Sequence, residues 1–385
     1  MNRKYKSGEY QCSVCSRRFL ADKSLSQHQA DTGHNGLYGA FGGLSVSTVS
    51  TDIYALNGGT LEIFIAENIQ ADSSFLGCCG DVINSLVRKL QDTSSVTSKL
   101  RPRRIIKSGS LGKGTAVKDR SDIDLILMLA KYDDVDVLMM DMSDILRSLE
   151  RNLKVNTTAK HQRTTRYSVQ VELTCRSGHK HDVDILPAVD LLELGYSPVE
   201  VYRKMRDVSS STIHEYSVSL SPLQLEIISA LPTKVKSLIK LVKYWKDKKL
   251  KKEDEPEMPI FAENRDRKPN WPSSYALELV VLNAWTEANE PVSFDMTRAL
   301  HAVLTSLVNH RQLKIILRRQ MKYGTSLVHS RPAPYIMDPA NPYNDMYHGL
   351  VNGQAFDWDM VVPQARLWLN RPLFYGVSNT KHRWK

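Results

Sequence analysis

The stretch "KSGSLGKGTAVKDRSDIDLILML", residues 107–129, constrains this chain more than any other. It joins a Gly-rich turn carrying a lysine to two aspartates, one residue apart, at the head of an apolar run. A Walker-type phosphate loop requires Gly-x4-Gly-Lys-Ser/Thr. Here Gly109 and Gly112 are only three apart, and Gly114 follows Lys113 where Ser or Thr should stand, so that reading fails. In a strand, alternate side chains share a face, so Asp122 and Asp124 are expected to project together. "LILML" would anchor the strand in a core. Two neighbouring carboxylates repel each other unless a cation lies between them. Gly109 and Ser110 fall on a turn before them, where backbone N–H groups and a hydroxyl suit a phosphate.

A two-metal site needs a third carboxylate. The second strand, "HDVDILPAVD", supplies Asp184, with Val183 and Ile185 facing the other way. Asp182 has the same parity and is the competing choice. Gly-Ser, then Asp-x-Asp, then a distant Asp is the arrangement of nucleotidyltransferases of the polymerase-beta type. In that chemistry two Mg²⁺ ions activate an attacking hydroxyl and neutralise a leaving pyrophosphate.

Residues 10–34 carry a separate signal. Cys12-x2-Cys15-x12-His28-x5-His34 has zinc-ligand spacing, and Phe19 and Leu25 stand where a small ββα finger needs its core. Four N/S ligands form a closed structural site for Zn²⁺. A lone finger reads about three base pairs, too few for a specific DNA site. Its long His-x5-His spacing resembles fingers found on double-stranded RNA, and Arg17, Arg18 and Lys23 could reach phosphates. Binding of a protein, or a structural role alone, is the competing reading.

The rest of the chain divides by composition. We expect a finger over 1–35, a flexible Gly/Ser/Thr-rich linker over 36–59, an α/β core over 60–221 and a helical C-terminal domain over 222–385. "TLEIFIAENI" and "GDVINSLVRKLQ" have helical spacing, and "RIIKSGS", "DIDLILML", "YSVQVELTC" and "HDVDILPAV" read as strands. Helices are expected over 222–247, 274–288, 294–322 and 361–370. The net charge of +10 favours polyanion partners. Five cysteines in 385 residues are no disulfide framework. "MNRKYKSGEY" has no apolar h-region, and runs such as "LILMLA" are too short to span a bilayer. A soluble, cytoplasmic protein with no membrane partner is expected, with a nuclear location also open.

Residues 60–375 resemble the 2′-5′-oligoadenylate synthetases, double-stranded-RNA sensors of innate immunity. The resemblance is carried by "GSLGKGTAVKDRSDIDL" (109–125), "VDILPAVDLL" (183–192), "LPTKVKSLIKLVKYW" (231–245) and "YALELVVLNAW" (275–285). "PYIMDPANP" (334–342) and "ARLWLNRPLF" (365–374) support it. It implies that Asp122, Asp124 and Asp184 hold two Mg²⁺ ions, and that Gly109, Ser110 and Lys113 lie on the donor-triphosphate turn. The helix 232–246 puts Val235, Leu238, Ile239 and Val242 on one face and Lys236, Lys240 and Lys243 on another. By resemblance Lys240 and Lys243 contact ATP phosphates. The first is usually arginine, so charge is kept while bidentate geometry is lost. Ser274 replaces a glutamine that contacts the base, and Tyr275 remains as a stacking partner.

The resemblance also implies a duplex-RNA surface, where Lys107 and Thr233 match contact positions. Two basic positions of that surface are Leu225 and Ser229 here. Arg88, Lys89, Arg101, Arg103, Arg104 and Lys234 are the candidates to compensate, together with the finger. The Cys-Phe-Lys motif linked to oligomerisation reads Leu373-Phe374-Tyr375, so a monomer is expected. The implied activity is RNA-regulated joining of ATP into 2′-5′-linked oligoadenylate. A cyclic-dinucleotide synthase of the related sensor branch and a catalytically silent RNA-binding module are the alternatives.

Overall fold

The structure is a computed structural model. It describes residues 10–11, 18–19, 56, 58–92, 97–118, 122–206, 208, 210–250, 269–324, 332–349, 355–378, 380 and 383–384. Near the start, β1 (Tyr10–Gln11) pairs antiparallel with β2 (Arg18–Phe19), with Tyr10 opposite Phe19. Cys12, Cys15, His28 and His34 lie outside the described residues.

Helix α1 (Gly58–Phe64) continues through a π turn at Ile65–Ile69, and α2 (Ser73–Gln91) follows. The Asp72 side chain caps α2 by accepting the Phe75 N–H at 2.7 Å. Leu56 is buried and α1 begins at Gly58, so the last residues of the expected linker stretch are already part of the packed unit. The chain then builds β3 (Pro102–Lys107), a one-turn helix α3 (Gly109–Lys113) and β4 (Asp122–Leu129). Helix α4 (Val135–Asn156) crosses over to β5 (Lys160–Thr164), β6 (Val169–Thr174) and β7 (Lys180–Ala188).

The sheet order is β3-β4-β7-β6-β5. Only β4 and β7 run parallel; the other pairs are antiparallel. A parallel pair needs a long crossover, which α4 and the β5–β6 hairpin supply. On β4, Ile123, Leu125, Leu127 and Leu129 enter the main core, which α4 covers with Leu138, Met142, Ile145 and Leu149. Ile126 and Met128 face the other way, onto Ala188 and Val218. The strand is thus apolar on both faces along most of its length, and its first residues, Asp122 and Asp124, break that pattern.

The C-terminal half contains α5 (Pro198–Met205), α6 (Ser210–Ser219), α7 (Ser221–Ser229), α8 (Thr233–Trp245), α9 (Ser274–Glu287) and α10 (Met296–Val308). It ends with β8 (Lys314–Ile315), β9 (Tyr335–Asp338), β10 (Asn341–Asp345) and α11 (Val361–Leu369). Main-core residues extend from Leu56 to Trp384.

Several sequence expectations need correction. The helix expected over 222–247 is two helices, because Pro232 lacks an N–H and sits at the N-cap of α8. The helix expected over 294–322 ends at Val308. Beyond it, Leu313, Ile315 and Leu317 are buried with a period of two, and Ile315 pairs with Ile336. The C-terminal half therefore holds a three-stranded sheet, β10-β9-β8, that helical periodicity did not anticipate. Helix α4 and strand β5 were also not anticipated. The turn expected at Gly109–Ser110 is a short helix. No helix among the described residues is long and apolar enough to cross a membrane.

Candidate active site

The sheet register sets the carboxylates. Across the parallel pair, Asp122 is opposite Asp182 and Asp124 is opposite Asp184. Adjacent strands lie about 4.8 Å apart, so Asp124 and Asp184 are neighbours on one face. Antiparallel β6 extends the polar strip, with Gln170 opposite Asp184 and Glu172 opposite Asp182. The Gln170 amide donates to Asp184 Oδ2 at 2.9 Å. Asp182 is exposed and accepts instead from Gln162 Nε2 at 2.8 Å, on the edge strand. Asp124 and Asp184 are each half-buried. Hard oxygen donors concentrated at the ends of adjacent strands fit Mg²⁺, which takes one or two carboxylates and keeps water and phosphate oxygens.

Helix α3 is held against these strands by its backbone. Ser108 N–H donates to Asp124 O at 2.7 Å, and Thr115 N–H donates to Ser110 O at 2.8 Å. Gly109 has φ +66°, in the left-handed region that favours glycine. At Gly112 a Cβ would lie 2.3 Å from Lys107 O, so any side chain there would push α3 off the end of β3. The glycines thus serve close packing of α3, and Ser110 is buried beside the carboxylate strand.

Lys113 does not project into solvent. Its ammonium donates to Glu278 Oε2 at 3.1 Å and sits 4.2 Å from the Tyr275 ring centre. Thr115 Oγ1 donates to Glu278 Oε1 at 3.2 Å. Lys243 Nζ lies 3.8 Å from the same carboxylate and donates to Thr115 O at 3.4 Å. One buried carboxylate on α9 therefore joins α3, the loop after it and α8. Burial alone would raise the Glu278 carboxyl, but the Lys113 and Lys243 ammonium groups bring it below its ordinary value. Sequence reasoning missed Glu278, although a glutamate inside the apolar run "YALELVVL" is a signal for a buried, paired acid.

Tyr275 also anchors a second knot. Its hydroxyl donates to Asp338 Oδ1 at 2.9 Å, and Asp338 is fully buried. Gln224 Nε2 and Asn344 Nδ2 donate to the other oxygen at 2.7 and 3.1 Å. Burial raises the Asp338 carboxyl, and these hydrogen bonds oppose the rise. Ser274, next to Tyr275, is the first residue of α9, capped by Ser273, whose Oγ accepts Ala276 N–H at 3.0 Å.

The lysines of α8 lie over the segment that follows α3. Lys236 donates to Ser229 O at 2.6 Å, and its side chain lies over Gly114, where a Cβ would meet Nζ at 3.7 Å. Burial, and then the charges of Lys236 and Lys243, hold the Lys240 ammonium below its ordinary value. The proposed duplex contacts fall into two groups. Lys107 donates to Asn84 Oδ1 of α2, and Arg88 Nε donates to Asn84 O at 3.3 Å. Arg103 and Thr233 are exposed. Lys234 is paired with Glu62 at 2.9 Å, and Arg104 with Asp190 at 2.6 Å, so both are less available to phosphates.

The family profile described as "2'-5'-oligoadenylate synthetase 1, domain 2, C-terminus" matches residues 196–385. Rat (Rattus norvegicus) 2'-5'-oligoadenylate synthase 2 is 28% identical over 340 residues, covering 82% of this chain. This chain is similar to the 2′-5′-oligoadenylate synthetases over most of its length. It spans less than half of that rat protein, 44%. Rat 2'-5'-oligoadenylate synthase 1A is 26% identical over 341 residues, covering 82% of this chain and 90% of that protein. Among solved structures, E. coli MS115-1 CdnC in a CdnC:HORMA-deltaN complex superposes with a TM-score of 0.53 at 22% identity, covering 81% of this chain and 89% of that one. CdnC with ATP gives the same TM-score at 21% identity. The mixed α/β sheet with its surrounding helices is the nucleotidyltransferase-type fold expected from the sequence.

Proposed function

We propose that this oligoadenylate-synthetase relative is a nucleotidyltransferase that joins ATP into linear 2′-5′-linked oligoadenylate, releases pyrophosphate and is switched on by double-stranded RNA in antiviral innate immunity. The observation that carries the reading is the in-register pairing of Asp124 with Asp184 beside the Gly-Ser helix, within a chain similar to these synthases.

Asp122, Asp124 and Asp184 would hold two Mg²⁺ ions. When bound, these ions activate an attacking ribose hydroxyl and neutralise charge on the leaving pyrophosphate. Gln170 orients Asp184 through its 2.9 Å hydrogen bond to Oδ2. Ser110 offers a hydroxyl beside Asp124. Lys240 meets the triphosphate, because an anion there offsets both its burial and the repulsion from Lys236 and Lys243. Lys243 and Lys113 orient this cationic wall through Glu278. Tyr275 gives the base an aromatic edge held in place by Asp338.

Duplex RNA would lie across the surface of Arg88, Arg103, Lys107 and Thr233. A-form RNA is read there through phosphates and 2′-hydroxyls. The finger, with Zn²⁺ on Cys12, Cys15, His28 and His34, would add contacts in place of those lost at Leu225 and Ser229. The test is product identity. Pure full-length protein is incubated with ATP and Mg²⁺, with and without duplex RNA, and the products are resolved by length and linkage. A ladder of linear 2′-5′ oligomers supports the reading. A single cyclic product replaces it with the cyclic-dinucleotide alternative, and no product at all replaces it with a silent RNA-binding module.

A further inference from the structure

A cluster of soft ligands lies away from the carboxylates, where α2 meets the β6–β7 hairpin. The Sγ atoms of Cys78 and Cys175 and a ring nitrogen of His181 all lie within 4.8 Å of one another. Cys78 Sγ is 4.0 Å from His181 Nε2. A second imidazole joins them: His179 Nδ1 is 3.3 Å from Cys78 Sγ and 3.6 Å from Cys175 Sγ. We propose that Cys78, Cys175, His179 and His181 form a structural Zn²⁺ site that staples α2 to the β6–β7 hairpin.

Zinc chemistry supports the assignment. Two thiolates and two imidazoles are a closed structural donor set. With Zn–S near 2.3 Å and Zn–N near 2.0–2.1 Å at a tetrahedral angle, S and N ligand atoms lie about 3.6 Å apart. Three of the four sulfur–nitrogen separations are 3.3, 3.6 and 4.0 Å, which bracket that value, and the fourth is within 4.8 Å. Cys78, Cys175 and His181 turn their ligand atoms toward one another, and His179 Nδ1 approaches both sulfurs.

The backbone explains how the set assembles. Cys175 follows β6, and the turn 175–179 is closed by Gly178 N–H to Cys175 O (3.0 Å) and Cys175 N–H to His179 O (2.9 Å). Gly178 has φ +81°, which lets the turn fold tightly. His181 is the second residue of β7 and His179 stands just before the strand, two residues earlier. The other end of the set, Cys78, stands near the start of α2, about a hundred residues earlier in the chain. Cys175 is 5% exposed and His181 is completely buried, while Cys78 and His179 are half-buried on the outer side. Phe75 packs on the cluster, with its ring 5.6 Å from His179 and 5.4 Å from His181. The site is separate from the Cys12-Cys15-His28-His34 set and shares no ligand with the carboxylate site. Its effect would be mechanical: it fixes α2, which carries Asn84 and hence the lysine at 107 that contacts it.

The test separates this site from the finger. The full chain carrying Cys12→Ser and Cys15→Ser is purified reduced, and its zinc is counted. About one Zn²⁺ per chain is expected, falling to background when Cys175→Ser is added. Cobalt substitution of the same finger-disabled chain should give thiolate-to-metal charge-transfer absorption. Because Cys175→Ser could unfold the hairpin, thiol labelling is run on the chain with Cys78 and Cys175 intact. Both should resist modification until a chelator is added, and the chelator should lower the melting temperature. Zinc content near zero in the reduced finger-disabled chain would overturn the proposal, as would a Cys78–Cys175 disulfide in place of metal. Zinc retained unchanged after Cys175→Ser would overturn it as well.

Discussion

Asp124 stands directly opposite Asp184 on adjacent parallel strands, while the Gln170 amide donates to Asp184 from the strand beyond. Asp182, two residues earlier on the same face, is exposed and bound to Gln162 on the edge strand. The two candidates for the third ligand therefore differ in depth and in partner. Asp124→Asn and Asp184→Asn should each lower the rate by a factor on the order of 10³ or more, because an amide cannot hold the cation as a carboxylate does. Asp182→Asn should stay within a few-fold of the parent. Steady-state rates of the three variants, with circular dichroism to confirm folding, check this. A large loss in Asp182→Asn alone would move the ligand assignment.

Glu278 is the buried counter-ion of Lys113 and Lys243. Glu278→Gln keeps the shape and removes the charge, leaving two lysines with little exposure and no carboxylate. Breaking a buried pair in this way costs about 3–5 kcal/mol. Urea unfolding should show that loss in the midpoint with an unchanged slope. The double variant Glu278→Gln/Lys113→Met should recover part of it. A Glu278→Gln chain as stable as the parent would show that the α3–α8–α9 junction is not held by this pair.

Glu215 on α6 is buried, and neither carboxylate oxygen has a hydrogen-bond partner among the described residues. Desolvation pushes its carboxyl up to about 8, against an ordinary value of 4.5, with Arg166 opposing weakly. The folded state therefore keeps a proton that the unfolded state has released above pH 4.5. Stability is fully present below that pH and is lost as pH rises to about 8, by up to a few kcal/mol. Glu215→Gln should flatten the melting-temperature profile over this window and raise stability most at its alkaline end. Identical profiles for parent and variant would contradict the burial argument.

Deleting residues 1–35, or substituting Cys12→Ser, should raise the duplex-RNA concentration needed for half-maximal activation and leave the maximal rate nearly unchanged. On the proposed reading, a Gly/Ser-rich coil of the intervening length would have an r.m.s. reach of roughly 25–30 Å, enough for the proposed finger to grip a duplex held by the proposed RNA surface. Titration of both proteins with duplex RNA measures this. Superimposable activation curves would remove the proposed RNA role of residues 1–35 and favour docking of another partner.

The strands that carry the carboxylates were legible because alternation is a local signal: "DIDLILML" and "HDVDILPAV" form β4 and β7. What local pattern could not give was partnership. The parity of Asp182 and Asp184 is the same, and only the parallel register with β4 separates them. The resemblance puts Lys113 on the donor-triphosphate turn, and a glutamate 165 residues away holds its ammonium inside the fold. The soft-ligand cluster was invisible for the same reason, since Cys78 joins Cys175, His179 and His181 only through tertiary contact. The β8–β10 sheet was missed because its strands are short and the period-two burial of Leu313, Ile315 and Leu317 directly follows a helix.

The central claim is RNA-gated nucleotidyl transfer at Asp124 and Asp184, and pyrophosphate release tests it most directly. Full-length protein and Asp184→Asn are each given ATP and Mg²⁺, and release is timed before and after saturating duplex RNA. The account predicts slow release without RNA, a rise of at least about tenfold on adding it, and neither in the variant. Equal release with and without RNA would contradict the gating, and undiminished release by Asp184→Asn would contradict the site.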